Sequence, residues 1–331
     1  MVSIRPFLLA AAVAALPMTL VACGGDDGGT DIPVMPEGEH YQTVAKQAFV
    51  PTNNTQAREY GLDIGSPEGE LDGAVDNQLG MVLGTLASMG FDLQGTIDQA
   101  VAEGSIILLV DFQTKDFANT TAAGLKVLLG DKATATPAPC NVDEMYDKVA
   151  GTGCGHHLDG TGSFTITAGS PDDAAVGGKI VNGVFNGGPG NISLQIAIGS
   201  TDPLTLDLIG ARAKATGITA DAIDSAILGG ALTEDDLNTK VIPAIQQQLG
   251  PIIAETCTDP TAADCGCTAG TGKTILDLFD TDDDCMVSVD EIKSNTLIQS
   301  LLAPDVKIDG VNALSLGIKV STTKASFPAQ N

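Results

Sequence analysis

Ile192-Ser193-Leu194-Gln195-Ile196-Ala197-Ile198, then Gly199-Ser200-Thr201-Asp202-Pro203, then Leu204-Thr205-Leu206-Asp207-Leu208 is the stretch that decides the fold. In both outer runs a branched apolar side chain recurs at every second position. That period places these side chains on one face of a β-strand and their neighbours on the other. The pentapeptide between them, rich in Gly, Asp and Pro, reads as a turn. Working outward, Ala211, Ala213 and Ala215 alternate with Arg212, Lys214 and Thr216, and Gly187-Gly188-Pro189-Gly190 reads as another turn. Upstream, Ile106 to Phe112 is a continuous apolar run suited to a buried strand, Leu125 to Leu129 is a second, and Phe164-Thr165-Ile166 alternates. Far downstream, Leu314, Leu316, Ile318 and Val320 alternate again, with Phe327 beyond them. Short strands divided by Gly-rich turns predict an α+β fold with an antiparallel β-sandwich-like core over residues 105–232, to which 314–327 returns as a strand.

Helical periodicity flanks that core. Leu79, Val82, Leu83 and Leu86 share one face of a helix from Asn77 to Met89, and Leu93, Ile97 and Val101 share one from Phe91 to Ala102, with Gly90 as the hinge of the pair. Between Tyr41 and Tyr60 the pattern predicts a short helix broken by Pro51 and Asn53-Asn54-Thr55, so that 41–104 reads as an N-terminal helical region. A second helical region, 233–304, opens with Thr233 as the cap of a helix running to Ala254 and kinked or divided by Pro243 and Pro251. Residues 305–331 are left as the C-terminal strand and tail.

The N-terminus reads as a signal rather than as structure. Arg5 is the only side-chain charge before an apolar run from Phe7 to Ala22, which Pro17 interrupts. A membrane span needs roughly 20 apolar residues, and this segment suits the h-region of a signal peptide over 1–22. It ends in Leu20-Val21-Ala22-Cys23, which resembles the lipobox of bacterial lipoproteins. The resemblance implies cleavage before Cys23 and lipid on that cysteine. Residues 23–40, beginning Gly24-Gly25-Asp26-Asp27-Gly28-Gly29 after the cysteine, then form a flexible tether. Two or more acyl chains hold a protein on a bilayer stably, so the expected location is the cell envelope, on the outer membrane in preference to the inner.

Seven cysteines less Cys23 leave six, an even number in a chain expected to enter an oxidising compartment. Cys140 and Cys154 read as a local disulfide, and closing a loop of that length stabilises by roughly 3 kcal/mol in the chain-entropy picture. Cys257, Cys265, Cys267 and Cys285 form a second group with three possible connectivities; a thiolate metal site is the alternative reading.

Composition narrows the partners. The chain carries 42 acidic and 16 basic residues, a net charge of −26, and loss of the signal with Arg5 makes it one unit more negative. Such a surface repels phosphate backbones, which sets nucleic-acid binding aside. Aromatic content of 4% with no Trp argues against sugar platforms. With 43% hydrophobic residues and a mean hydropathy of +0.18, the chain has ample material for a folded core.

One segment carries chemistry. Asp280-Thr281-Asp282-Asp283-Asp284-Cys285-Met286-Val287-Ser288-Val289-Asp290-Glu291 packs six carboxylates into twelve positions. Alternate side chains of a tight loop converge, so three Asp spaced by two can surround a hard cation. The segment resembles the twelve-residue calcium loop of an EF-hand. The resemblance implies Ca²⁺ ligands from Asp280, Asp282, Asp284, the Met286 carbonyl, Ser288 (directly or through water) and Glu291, with Val287 tying the loop to the core. Ile275, Leu276 and Phe279 would line an entering helix, and Ile292, Leu297, Ile298 and Leu301 an exiting one. The sequence departs from the family at the sixth position, where Cys285 replaces the usual Gly. That position needs φ > 0, at a cost on the order of 1 kcal/mol or more for a residue with a Cβ. A disulfide from Cys285 to the 257–267 group would hold the turn and offset that cost. A weaker echo is the acidic run Glu68, Glu70, Asp72 and Asp76 around Gly73. A third run, Asp305-Val306-Lys307-Ile308-Asp309-Gly310, places Lys307 where a ligand would be needed. His156 and His157, being adjacent, share no face and read as surface-loop residues.

The function these readings support is a calcium-binding, lipid-anchored envelope protein with a structural or binding role, its partner unnamed by the sequence. A carrier of an apolar ligand within the β-region is the alternative, and a hydrolase-type enzyme the third; the sequence contains no nucleophile elbow, phosphate loop or His-x-x-x-His pair.

Overall fold

Among the described residues, eight long strands form an antiparallel meander. They are β1 (Glu39–Phe49), β2 (Leu108–Thr114), β3 (Thr120–Leu129), β5 (Ala175–Val181), β6 (Val184–Ile196), β7 (Leu204–Ile218), β8 (Ile223–Thr233) and β10 (Val311–Ser326). Two short strands, β4 (Gly162–Ser163) and β9 (Val306–Ile308), pair with β10. The computed structural model describes residues 35–88, 92–171, 173–196, 203–255, 257, 259, 262, 264–267 and 270–329. Each long strand pairs with the next, and β10 pairs with both β8 and β1, from Thr43↔Lys324 to Phe49↔Lys319. The sandwich-like core of this α+β fold is therefore a sheet that closes on itself, with Leu108, Val110, Phe112, Leu125, Val127, Phe185, Leu206, Leu228 and Leu316 facing inward. Small inward residues make the close approach possible: Ala215 lies opposite Phe185, whose ring meets Phe112 edge-on at 5.2 Å.

The helices α2 (Gln78–Ser88), α3 (Leu93–Ala102) and α5 (Ile242–Glu255) share one continuous core with the strands, burying Leu79, Val82, Leu83, Leu93, Ile97, Leu249 and Ile253. The predicted faces of the helical pair are thus the buried ones, and its hinge, Gly90, lies outside the described residues. Thr233 caps its helix as expected, its hydroxyl accepting from the Asp236 N–H at 3.2 Å. The single predicted helix is α4 (Glu234–Asp236), a π-helical stretch Leu237–Val241 and α5. Pro243, which has no N–H to give to the turn before it, lies two residues beyond that stretch, in the first turn of α5.

The structure differs from the sequence reading in three places within the sheet. Residues 39–49 are a strand, not a helix, and they close the sheet. A register shift between Ala45 and Gln47 breaks the period of two, leaving Ala45 and Ala48 on the inner face at helix-like spacing. Gly187 to Gly190 lies inside β6, at register shifts against β7. The hairpin turn comes earlier, at Asn182-Gly183, whose φ values of 52° and 77° suit a two-residue turn. Phe164 to Ile166 is mostly irregular: Phe164 donates its N–H to Ser326 and Ile166 makes an isolated bridge to Gly130. The predicted turn at 199–203 lies outside the described residues except for Pro203.

At the end of β1 the ladder is continued by a side chain. β1 stops at Phe49↔Lys319, but β10 carries on towards Val311. Asn77, buried at 4% exposure, accepts from the Gly317 N–H at Oδ1 (2.8 Å) and donates from Nδ2 to the Gly317 carbonyl (3.0 Å). It also accepts from the Gly80 N–H and donates to the Ala57 carbonyl, which fixes α1 (Asn54–Glu59) and α2 to the sheet.

Candidate metal centre

The acidic loop lies between α6 (Gly270–Phe279) and α7 (Val289–Ser294). Ile275, Leu276 and Phe279 are buried on α6, as the entering-helix reading expects. The exit is shorter than expected. α7 ends at Asn295, whose side chain caps a separate helix α8 (Thr296–Leu301) by accepting from the Leu297 and Ile298 N–H groups. The break rotates Leu297 outward to 48% exposure, while Ile292 and Ile298 stay buried.

Within the loop, one carboxylate oxygen each from Asp280, Asp282 and Asp284 lies within 4.8 Å of the others. Ca²⁺–oxygen distances are about 2.3–2.6 Å, so oxygens up to about twice that apart can share one ion, and the three Asp fit it. The turn is closed by bonds from backbone N–H groups to its own carboxylates. Asp280 accepts from the Asp284 N–H at 3.2 Å and the Cys285 N–H at 2.9 Å, and Asp284 accepts from the Met286 N–H at 2.9 Å. Cys285 takes φ 65° and Asp283 φ 59°. The carboxyl of Asp282 is pushed up from its ordinary value by burial and by repulsion from Asp284, Glu291 and Asp280. Ca²⁺ would relieve that repulsion.

Two of the remaining expected ligands, Ser288 and Glu291, are engaged with one another and with Thr281. Glu291 Oε2 accepts from the Ser288 N–H at 2.8 Å and hydroxyl at 2.9 Å, and Oε1 from the Thr281 N–H at 2.6 Å and hydroxyl at 3.1 Å. The Ser288 hydroxyl in turn accepts from the Glu291 N–H, completing a capping box at the start of α7. Burial pushes the Glu291 carboxyl up, but the Ser288 and Thr281 bonds outweigh it and hold it down at about 2. Glu291 is therefore an anion 8% exposed, one loop-width from three more carboxylates. Met286 is exposed at 63%, and Val287 is buried with its carbonyl accepting from Gln246 Nε2 at 3.0 Å. Thr281 and Gln246 are contributors that the sequence reading missed. Thr281 occupies a non-ligand position, and nothing in the sequence links Gln246 to the loop 41 residues away.

Three disulfides form, Cys140–Cys154, Cys257–Cys265 and Cys267–Cys285. The last, Cys267–Cys285, ties the left-handed sixth position to the 257–267 group, one of the connectivities the sequence left open. Among the described residues, Glu68, Glu70, Asp72 and Asp76 form no comparable carboxylate group. The first three are exposed, and Asp76 accepts from the Ile64 and Gly65 N–H groups at 2.8 and 3.2 Å. Asp309-Gly310 is the turn of the β9–β10 hairpin, and Asp305 accepts from the Ser315 N–H at 2.8 Å.

The histidine pair divides. His156 is at the surface, 2.9 Å from Glu144, but His157 is fully buried beside Phe164, and neither of its ring nitrogens has a hydrogen-bond partner among the described residues. Burial, then Lys132 and His156, push its imidazole down to about 4. Leu79, Val82, Leu86, Ile196 and Ile245 line a small apolar cavity of about 30 Å³. The chain matches no protein-family model, no curated protein and no solved structure, so the reading of its site rests on its own residues.

Proposed function

We propose that this is a calcium-stabilised protein of the bacterial envelope, held on a membrane through lipid on Cys23. The convergence of Asp280, Asp282 and Asp284 oxygens within 4.8 Å, on a loop whose sixth residue adopts the required left-handed backbone, carries the calcium reading. The three disulfides support passage through an oxidising compartment, and the apolar run ending at Cys23 supports the anchor. Asp280, Asp282 and Asp284 would hold the ion first. Glu291 and the Met286 carbonyl would complete the shell once Glu291 exchanges its bonds to Ser288 and Thr281 for the metal.

The role assigned to Ca²⁺ is reinforcement. Extracellular calcium modules bind at roughly 10⁻⁴–10⁻³ M. At about 1 mM Ca²⁺, a site of about 0.1 mM affinity adds about 1.4 kcal/mol to stability. Urea unfolding with and without 1 mM Ca²⁺ tests this: the wild-type midpoint should rise, and that of Asp280→Ala with Glu291→Gln should not move. An unmoved wild-type midpoint would contradict the role. The anchor is tested by the intact mass of the envelope-associated protein, which should carry diacylglycerol and an acyl chain on Cys23; an unmodified cysteine, or cleavage elsewhere, would contradict it.

A further inference from the structure

We infer that the cleft between the helical segment 234–242 and the α7–α8 pair binds a short peptide with apolar side chains and free termini, its carboxylate at Lys293 and its amine at Glu234. The site needs neither the proposed ion nor the proposed lipid. The cleft has a volume of about 320 Å³, and all its lining residues are among the described ones. Its apolar surface comes from Leu237 and Ile242 on one wall, Ile298 and Leu302 on the other, and Leu314 of β10. All of these are buried, so the recess is walled by side chains already fixed in the core. Glu234, Asn238, Lys293 and Gln299 join them. A few polar groups set on an apolar surface are the composition of a ligand site. Among the described residues, neither Glu234 nor Lys293 has an ion-pair partner. The two opposite charges thus share one recess without pairing, and each is open to a ligand.

The spacing of the charges selects the ligand. Glu234, Asn238 and Ile242 recur at every fourth position along one wall, a span of about 12 Å at helical rise. Glu234 stands at the sheet end, next to Thr233, which pairs with Ala313. Beyond Ile242 the wall reaches α7, where Gln246 Nε2 donates to the Val287 carbonyl two residues before that helix starts. Lys293, on α7, therefore faces the end of the cleft away from Glu234. A single amino acid carries both charges on one carbon and reaches one end only. About three extended residues span about 10 Å, which brings an amine and a carboxylate to the two ends and lays apolar side chains against the walls. Amide side chains both donate and accept, so Asn238 and Gln299 suit the peptide groups between; Gln299 Nε2 donates to the Lys293 carbonyl at 2.9 Å, which leaves its oxygen for a peptide N–H. Between Glu234 and Ile242 the wall is π-helical, over Leu237–Val241. Such wide turns are rare and recur at functional sites, and here the adjacent Leu237 and Asn238 both line the cleft.

The test is equilibrium dialysis of the mature chain, with Cys23 replaced by Ser, against a pool of all tripeptides of Ala, Val, Leu and Phe, read by mass spectrometry. At least one peptide should be enriched on the protein side. Amidating its carboxyl or acetylating its amine should each weaken binding about tenfold, the size of one lost charge-assisted hydrogen bond. Lys293→Gln should weaken the free peptide by a similar factor and leave the amidated form unchanged. Glu234→Gln should do the same with the acetylated form as its reference. Both variants should melt as the wild type does, since Glu234 is exposed and Lys293 half-buried. No enriched tripeptide, enrichment that neither substitution reduces, or equal losses for free and blocked peptides would overturn the inference.

Discussion

The backbone N–H of Cys285 donates to Asp280 Oδ2 at 2.9 Å while Cys285 itself sits at φ 65°, bonded through its sulfur to Cys267. A residue with a Cβ occupies a position that favours glycine because a covalent tie from outside the loop holds it there. Removing the tie with Cys267→Ser and Cys285→Ser should cost about 3 kcal/mol, the value for closing a loop of this length. Cys267→Ser with Cys285→Gly should recover about 1 kcal/mol of that loss, since glycine reaches the left-handed region without steric cost. Urea denaturation of the two double variants compares them; equal stability would show that the turn is not strained.

Asn77 makes four hydrogen bonds from a buried site, two of them to Gly317, 240 residues away in sequence. Asn77→Ala leaves the Gly317 N–H and carbonyl without partners at the end of β1 and should destabilise by roughly 2–4 kcal/mol. Asn77→Asp keeps the acceptor but puts a carboxylate against the Ala57 and Gly317 carbonyls, and should cost at least as much. Chemical denaturation at pH 7 measures both; a loss under about 1 kcal/mol in either would contradict this account of the ladder's end.

His157 gives stability a pH dependence of definite sign. Its folded value of about 4 lies below the ordinary 6.5, so between those values the unfolded chain binds a proton that the folded chain refuses. Stability from the neutral ring is complete above pH 6.5 and declines as pH falls towards 4, by about 1.4 kcal/mol per unit and roughly 3 kcal/mol in all. His157→Phe should remove this part of the acid sensitivity. Unfolding free energies of both proteins between pH 7 and 4.5 should diverge by about 2 kcal/mol or more; parallel curves would contradict a buried neutral imidazole.

The strands that confine their large apolar side chains to one face were legible. Ile192–Ile196, Leu204–Leu208 and Leu314–Val320 show the period of two because Ser, Thr, Gln, Asp, Gly or Lys stands at the positions between their core-facing Ile, Leu and Val. β1 was not legible, because it buries Val44 on one face and Ala45 and Ala48 on the other, across a bulge that mimics helical spacing. His157 looked like a surface residue because nothing local distinguishes it from His156. Its burial comes from Phe164, seven residues on, and from β1, which packs against the His156–Leu158 turn from more than 100 residues away in sequence. In the loop, the Asp spacing revealed the converging carboxylates and the strain at Cys285. The engagement of Glu291 by Thr281 and Ser288 needed coordinates.

The central claim is that Asp280, Asp282 and Asp284 hold Ca²⁺. Titration calorimetry on the mature protein with Cys23 replaced by Ser tests it most directly. The account predicts saturable binding of one Ca²⁺ in the range of about 10⁻⁴–10⁻³ M, abolished by Asp280→Ala with Glu291→Gln. Heat no greater than dilution up to several millimolar Ca²⁺, or binding unchanged in that double variant, would contradict it.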